Sequence, residues 1–136
     1  MAKIKSYSDL QQSKKLAEIL PIESADMVLL HEEPYETSDS MFDGLHQALC
    51  VPFTKYDKSW RQKYKNISYF PCWSLASLLD VLPAECECMS LEHINYGNNH
   101  KKYFMSYVGG EYTDPYNNPV DACVAMIERL HELNLL

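Results

Sequence analysis

The sharpest alternation of apolar and polar positions lies at the C-terminal end, in 118-NPVDACVAMIERLHELNLL-136. Val120, Cys123, Val124, Ile127 and Leu130 fall on one helical stripe, and Asp121, Ala125, Glu128 and Glu132 fall on the other. Asn118 is suited to cap the helix, Pro119 to its first position, and Asp121 to its first turn, where a carboxylate complements the helix dipole. The spacing therefore predicts an amphipathic helix with Cys123 turned towards the core. A second helix is predicted over 73-WSLASLLDVL-82, where Leu75, Leu78, Leu79 and Leu82 follow the 3.6-residue period. Ser74 is its cap, Pro71 and Pro83 bracket it, and its only charge is Asp80, so it should be central to the core. A third helix is predicted from Ser8 to Leu20, opened by a Ser8–Gln11 capping box and stopped by Pro21.

Between these helices the pattern changes period. The run 27-MVLL-30 reads as a short buried strand that passes into an acidic loop, 31-HEEPYETSD-39. Leu45, Ala48 and Leu49 are spaced to share one face of a short helix that Pro52 would end. From Phe53 to Phe70 no period persists, and the segment reads as loop with a strand near 67-ISYF-70. Residues 89–96 and 102–108 read as two strands of a hairpin around 97-GNNHK-101, because Gly and Asn tolerate positive φ. After Gly109-Gly110, 111-EYTDPY-116 carries a third short strand. This order predicts an α+β fold in a single domain spanning 1–136. A small, mainly antiparallel sheet is packed by two or three helices, and the C-terminal helix closes the core.

Composition is compatible with that picture. The chain has 136 residues, 46% of them hydrophobic and 23% charged, which suits a globular protein able to bury a core without a disulfide or metal. The first fifteen residues are polar and charged, unlike an export signal, and no apolar run approaches a membrane span. The five cysteines are then expected as thiols in a reducing cytoplasm. Only four glycines are present, and the sequence has no phosphate-cradling loop, HExxH or GxSxG motif.

Charge is unevenly spread. From Glu18 to Asp43 there are acids but no Lys or Arg, whereas 55-KYDKSWRQKYK-65 carries five bases against Asp57. In that basic stretch Lys55, Lys58, Arg61 and Lys63 interleave with Tyr56, Trp60 and Tyr64. This is the composition of a single-strand nucleic-acid groove, with cations for phosphates and rings for stacking. A solvated loop anchored by its aromatics explains the same pattern, and the net charge of −7 opposes long-range attraction to nucleic acid.

The Cys and His residues form a second candidate. In 85-ECECMSLEHI-94, Cys86 and Cys88 together with His93, His100 and Cys72 are candidate metal ligands. Structural zinc sites favour C-x2-4-C knuckles. A C-x-C pair on a strand holds its sulfurs about 6.5–7 Å apart along the chain, so buried thiols are the simpler explanation. Cys72, just before the second helix, is a candidate nucleophile with His46, His93 or His131 as base. No local signature surrounds it, and Pro71 and Trp73 crowd it. Cys50 and Cys123 read as core. Glu32–Glu33 and Glu85–Glu87 read as solvated charge, since paired catalytic acids need a cleft.

Three segments, 12-QSKKLAEILPIESADM-27, 71-PCWSLASLLDVLP-83 and 119-PVDACVAMIERLHELNLL-136, together resemble a family of small uncharacterised proteins of prophage-like and other mobile elements in gut Bacteroidales. The resemblance spans both ends and the middle of the chain. It implies a bacterial cytoplasmic setting and an association with mobile DNA, and it carries no activity and no catalytic residues. The family pattern often has Ala where this chain has Cys72, which counts against a special role for that thiol.

The sequence is read as a non-catalytic accessory or interaction protein of a mobile genetic element, without a cofactor or a membrane partner. Protein contact through aromatics such as Tyr35, Tyr56, Trp60, Tyr64 and Tyr112 is the expected mode. Two alternatives stand beside it: a nucleic-acid-binding module using residues 55–65, and a small Cys/His metal-binding or hydrolytic protein.

Overall fold

The computed structural model describes residues 5–32, 46–50, 53, 67–83, 90–95, 97, 101–107 and 111–136. Its elements are α1 (Leu10–Ile19), a 3-10 turn (Ile22–Ser24), β1 (Met27–Glu32), β2 (His46–Leu49), β3 (Ile67–Cys72), α2 (Leu75–Val81), β4 (Ser90–Asn95), β5 (Lys101–Tyr107), β6 (Glu111–Tyr112) and α3 (Pro119–Glu132). The fold is α+β, with all strand pairs antiparallel. The strands divide between two sheets, ordered β2-β1-β3 and β4-β5-β6. The chain gathers into two compact units, Asp9–Trp73 and Met1–Ser8 with Ser74–Leu136.

In the unit Asp9–Trp73, α1 begins one residue later than the sequence pattern suggested. Asp9, not Ser8, is the cap. Its carboxylate accepts the Gln12 N–H at 2.8 Å, and the Gln12 side chain accepts the Asp9 N–H at 3.1 Å. A carboxylate next to the exposed N–H groups of a helix start is favoured over a hydroxyl there by its charge, and Ser8 is buried. The Leu20 N–H closes the last turn on the Leu16 carbonyl before Pro21, which has no N–H to continue it.

The sheet β2-β1-β3 explains why 27-MVLL-30 is a continuous apolar run. β1 is central, paired along both edges, and Met27, Val28, Leu29 and Leu30 are all buried, so successive side chains are covered on both faces. Leu29 lies between Ala48 and Phe70, and Val28 between Leu49 and Pro71. Among the described residues β3 is an edge strand, where the missing N–H of Pro71 is tolerated. On this sheet α1 packs against β3, with the Lys14 ammonium 5.1 Å from the centre of the Phe70 ring. Trp73 is fully buried and donates its indole N–H to Ser24 Oγ at 2.9 Å; Ser24 in turn donates to the Pro21 carbonyl. The 3-10 turn is thereby held to the residue that follows β3.

Two expectations about this unit change. The loop predicted from His31 begins later, because His31 and Glu32 pair with Ser68 and Ile67 as part of β1. Residues 46–49 form a strand instead of the predicted short helix. Four residues make barely one helical turn, too few to offset the cost of nucleating it. Ala48 and Leu49 instead find partners on β1.

In the other unit, α3 has the caps and faces that its sequence predicts. Asn118 Oδ1 accepts the Asp121 N–H at 2.8 Å, and Asn118 Nδ2 donates to Asp121 Oδ2 at 2.7 Å. Lys5 Nζ donates to Asp121 Oδ1 at 2.8 Å and so ties the N-terminal segment to the helix start. Pro119, Val120, Ala122, Cys123, Val124, Met126, Ile127 and Leu130 are buried. Burial of an aliphatic side chain contributes about 1.5–3 kcal/mol, so this stripe is a main source of the unit's stability. The helix ends with Asn134 at φ 58°, a conformation that Asn adopts more readily than most residues.

α3 packs on β5, on β4 and on α2. Ser74 caps α2 by accepting the Ser77 N–H at 3.2 Å. The helix is less central than its apolar pattern suggested. Leu78 alone is fully buried; Leu75 and Leu82 are half-buried and Leu79 is 41% exposed. With seven residues, α2 is too short to present a wide buried face. Ahead of it, the Leu75 N–H donates to the Ser6 carbonyl and Tyr7 bridges Ser74, which anchors the N-terminal segment a second time.

Candidate functional site

β4 and β5 form the expected hairpin. Gly97 sits in its turn at φ 80°, and its N–H donates to Asn95 Oδ1 at 3.0 Å. The register pairs Leu91 with Met105, Glu92 with Phe104, His93 with Tyr103 and Ile94 with Lys102. Directly opposed residues share a face of the sheet. One face therefore carries Leu91, His93, Asn95, Lys101, Tyr103 and Met105, and the other carries Ser90, Glu92, Ile94, Lys102, Phe104 and Ser106.

The helix side is identified by sulfur. Met105 is fully buried, and its Sδ lies 3.9 Å from Cys123 Sγ on α3. The Met105 face is thus the one on which α3 lies. On the opposite face Ile94 is 38% exposed, and Tyr112 of β6, which pairs with Ser106, is 70% exposed. Ser90, Lys102, Phe104 and Ser106 between them are half-buried. Ser90 Oγ and Ser106 Oγ share a hydrogen bond of 3.1 Å, and Ser106 Oγ donates to Glu92 Oε2 at 3.2 Å. The result is an apolar and aromatic margin around a small polar centre.

β4 is also an edge strand; among the described residues no strand pairs with its outer side. From Glu92 to Asn95 every side chain is exposed, whichever face it belongs to. The direction of its main-chain groups follows from β5. There the Met105 and Tyr103 groups turn to the other neighbour: Thr113 N–H donates to the Met105 carbonyl, and Tyr103 and Tyr116 exchange both bonds at 2.7 Å. The Met105 N–H donates to Thr113 Oγ1 at 2.8 Å. In an antiparallel ladder such residues alternate with those serving the opposite neighbour. Lys102, Phe104 and Ser106 therefore bond to Ile94, Glu92 and Ser90. The N–H and C=O groups of Leu91, His93 and Asn95 point out from the edge.

The candidate residues taken from the sequence distribute as follows. Lys55, Tyr56, Lys58, Trp60, Arg61, Lys63 and Tyr64 lie outside the described residues, as do Tyr35, Cys86, Cys88 and His100. His93 is exposed on β4, with its ring centre 6.3 Å from that of Tyr103. Among the described residues no group of His, Cys, Asp and Glu is placed to hold a metal ion. Cys72 ends β3 opposite Met27 and is fully buried, a poor position for a nucleophile that must meet a substrate. Cys123 is buried as expected, and burial pushes its thiol up to about 12. Cys50 is a correction: it follows the last residue of β2 and is exposed.

Tyr116, at the start of the approach to α3, has its phenol pKa raised by burial first and then by Asp114, Glu128 and Asp121. This makes it a weaker acid, not a reactive group. No described helix is long and apolar enough to cross a membrane.

The sequence-based reading missed Glu92 and Ile94 as surface features. The signal was available in 90-SLEHIN-95, because Glu92, His93 and Asn95 place polar groups on both faces of one strand. Charged and polar residues on both sides are a mark of sheet edges. Comparison of the chain with models of known families, with curated proteins and with solved structures gave no match.

Proposed function

We propose that this chain is a non-catalytic accessory protein of a bacterial mobile genetic element that works by contact with another protein. The observation that carries the contact reading is the sheet β4-β5-β6. Its face opposite α3 leaves Ile94 38% and Tyr112 70% exposed around the Ser90–Ser106 centre. Amphipathic rings such as Tyr are enriched where proteins meet, because they bury a large area at small entropic cost. The complementary partner presents an apolar patch bordered by acids, which Lys102 on the same face attracts. Burial of Cys72 and Cys123 supports a contact role over thiol chemistry. The mobile-element setting is supported by the resemblance of the three segments 12–27, 71–83 and 119–136.

The test is capture from a bacterial host carrying the element, with the wild-type chain and a Tyr112→Lys/Ile94→Asp variant as parallel baits. A protein retained by the first and lost with the second, while the two baits have the same far-UV circular dichroism, supports the reading. Capture unchanged by the variant rules this face out. Salt-dependent binding of a labelled single-stranded oligonucleotide, abolished by removing the charges of Lys58, Arg61 and Lys63, replaces the proposal with the nucleic-acid alternative.

A further inference from the structure

Among the described residues no strand pairs with the outer side of β4, and the symmetry of an antiparallel edge restricts how an identical strand can meet it. In an isologous pair of antiparallel edges the twofold axis stands perpendicular to the sheet. It preserves the two faces, so opposed residues must belong to the same face and their numbers must have the same parity. The outward main-chain groups, those of Leu91, His93 and Asn95, meet that condition.

Axes at Glu92, His93 and Ile94 all lie within the exposed part of the strand. An axis at Ile94 sets Ile94 against its copy and His93 against Asn95 but brings no cation opposite Glu92. An axis at Glu92 sets that carboxylate directly against its copy, an unfavourable like-charge pair. An axis at His93 sets His93 against His93, Leu91 against Asn95 and Glu92 against Ile94. Main-chain bonds are then exchanged at the Leu91–Asn95 and His93–His93 positions. In the same rows Lys102, the β5 partner of Ile94, stands on the far side of Ile94 from the Glu92 of the second copy. Each copy offers one carboxylate and one ammonium to the other, and the symmetry repeats the pair. The two Ile94 side chains become diagonal neighbours on the same face and cover apolar surface exposed in one copy. The His93–Tyr103 contact continues across the axis as a row of rings.

We propose that this chain forms a twofold dimer by antiparallel pairing of β4 with β4 about His93, joining two sheets into one and matching Glu92 of each copy with Lys102 of the other. This inference names one partner for the contact protein proposed above and rests on that reading. It uses purified protein alone, so its failure is separable from failure of host capture.

The experiment is sedimentation equilibrium of the full chain at low salt. The wild type is expected to dimerise. His93→Pro should give monomers with unchanged circular dichroism, because the lost N–H points away from β5 and an edge strand accepts proline. Glu92→Lys and Lys102→Glu should each weaken self-association by about tenfold. A mixture of those two variants should recover it as a heterodimer, since both interchain pairs are then opposite in charge. Repulsion within either chain is unaffected by mixing, so this recovery reports on contacts between copies. An oxidised His93→Cys variant in a Cys50→Ser background should yield covalent dimers that the oxidised Cys50→Ser chain does not, because opposed hydrogen-bonded residues have Cα atoms about 5.5 Å apart, within disulfide reach. A wild type that stays monomeric up to about 1 mM, a dimer indifferent to His93→Pro, or a mixture that does not associate would each overturn the proposal.

Discussion

The two sheets use the same antiparallel pairing to opposite ends. In β2-β1-β3 the central strand is buried along 27-MVLL-30, and successive residues that point to opposite faces are equally covered. In β4-β5-β6 the central strand buries Met105 alone among its described side chains, and its edge β4 is exposed on both faces beyond Leu91. The first sheet is a structural centre. The second is half core and half surface, with Cys123 of α3 against one side and Ile94 and Tyr112 on the other. Strand pairing by itself does not decide what a sheet does; what lies over each face does. The candidate interaction surface belongs to the sheet whose second face is least covered.

The largest effect should come from placing the same charge in both sheets. Leu29→Asp puts a carboxylate between Ala48 and Phe70 in a fully covered strand, and a loss of more than about 4 kcal/mol is expected, enough to unfold most small proteins. Ile94→Asp should change stability by no more than about 0.5 kcal/mol, because the site is exposed and Lys102 lies opposite. Urea denaturation followed by circular dichroism measures both. Comparable losses would show that β4 is as structural as β1.

A smaller effect concerns the indole that closes the first unit. Trp73→Phe keeps most of the buried ring but removes the donor to Ser24 Oγ, and a cost of about 1–2 kcal/mol is expected in the same assay. Ser24→Ala should cost a similar amount, and the double variant should cost less than the two single losses added together, because both remove one bond. Full additivity would separate the indole from the turn.

The smallest effect is the alkaline behaviour of the second unit's core. Burial raises the Cys123 thiol from 9.0 to about 12. In the unfolded chain the thiol ionises first, so the folded state holds more protons between those values. Stability from this group is complete below pH 9 and falls as pH rises towards 12. By pH of about 10 the loss should be about 1 kcal/mol, at ~1.4 kcal/mol per unit of separation. Cys123→Ala should flatten this slope without abolishing it, because the raised Tyr116 phenol acts in the same direction at higher pH. An unchanged slope between pH 8 and 10 in thermal denaturation would remove Cys123 as its source.

How much could be read in advance depended on how far apart the deciding residues lie. The α3 cap was legible because Asn118, Pro119 and Asp121 are neighbours and their chemistry is complete within one turn. The β4–β5 hairpin was legible because the residues around Gly97 specify a turn locally. The start of α1 was missed by one residue, since Ser8 and Asp9 both offer an oxygen and only the fold buries Ser8. β2 was read as helix because Ala48 and Leu49 satisfy either period over so short a span; their partners on β1 settled it. Cys50 was placed in the core on residue type alone, although a thiol at a strand end is turned inward only if something covers it.

The sequence by itself determined the α+β class, the capped C-terminal helix with Cys123 inward, and the hairpin. These follow from periodicity and turn chemistry within short stretches of chain. Only the tertiary structure decided that the strands form two sheets, that β1 is central and β4 an edge, and which face of β4-β5-β6 carries α3. The physical reason is that a strand's hydrogen bonds and burial are completed by segments distant along the chain, so position within a sheet is a property of the assembled molecule.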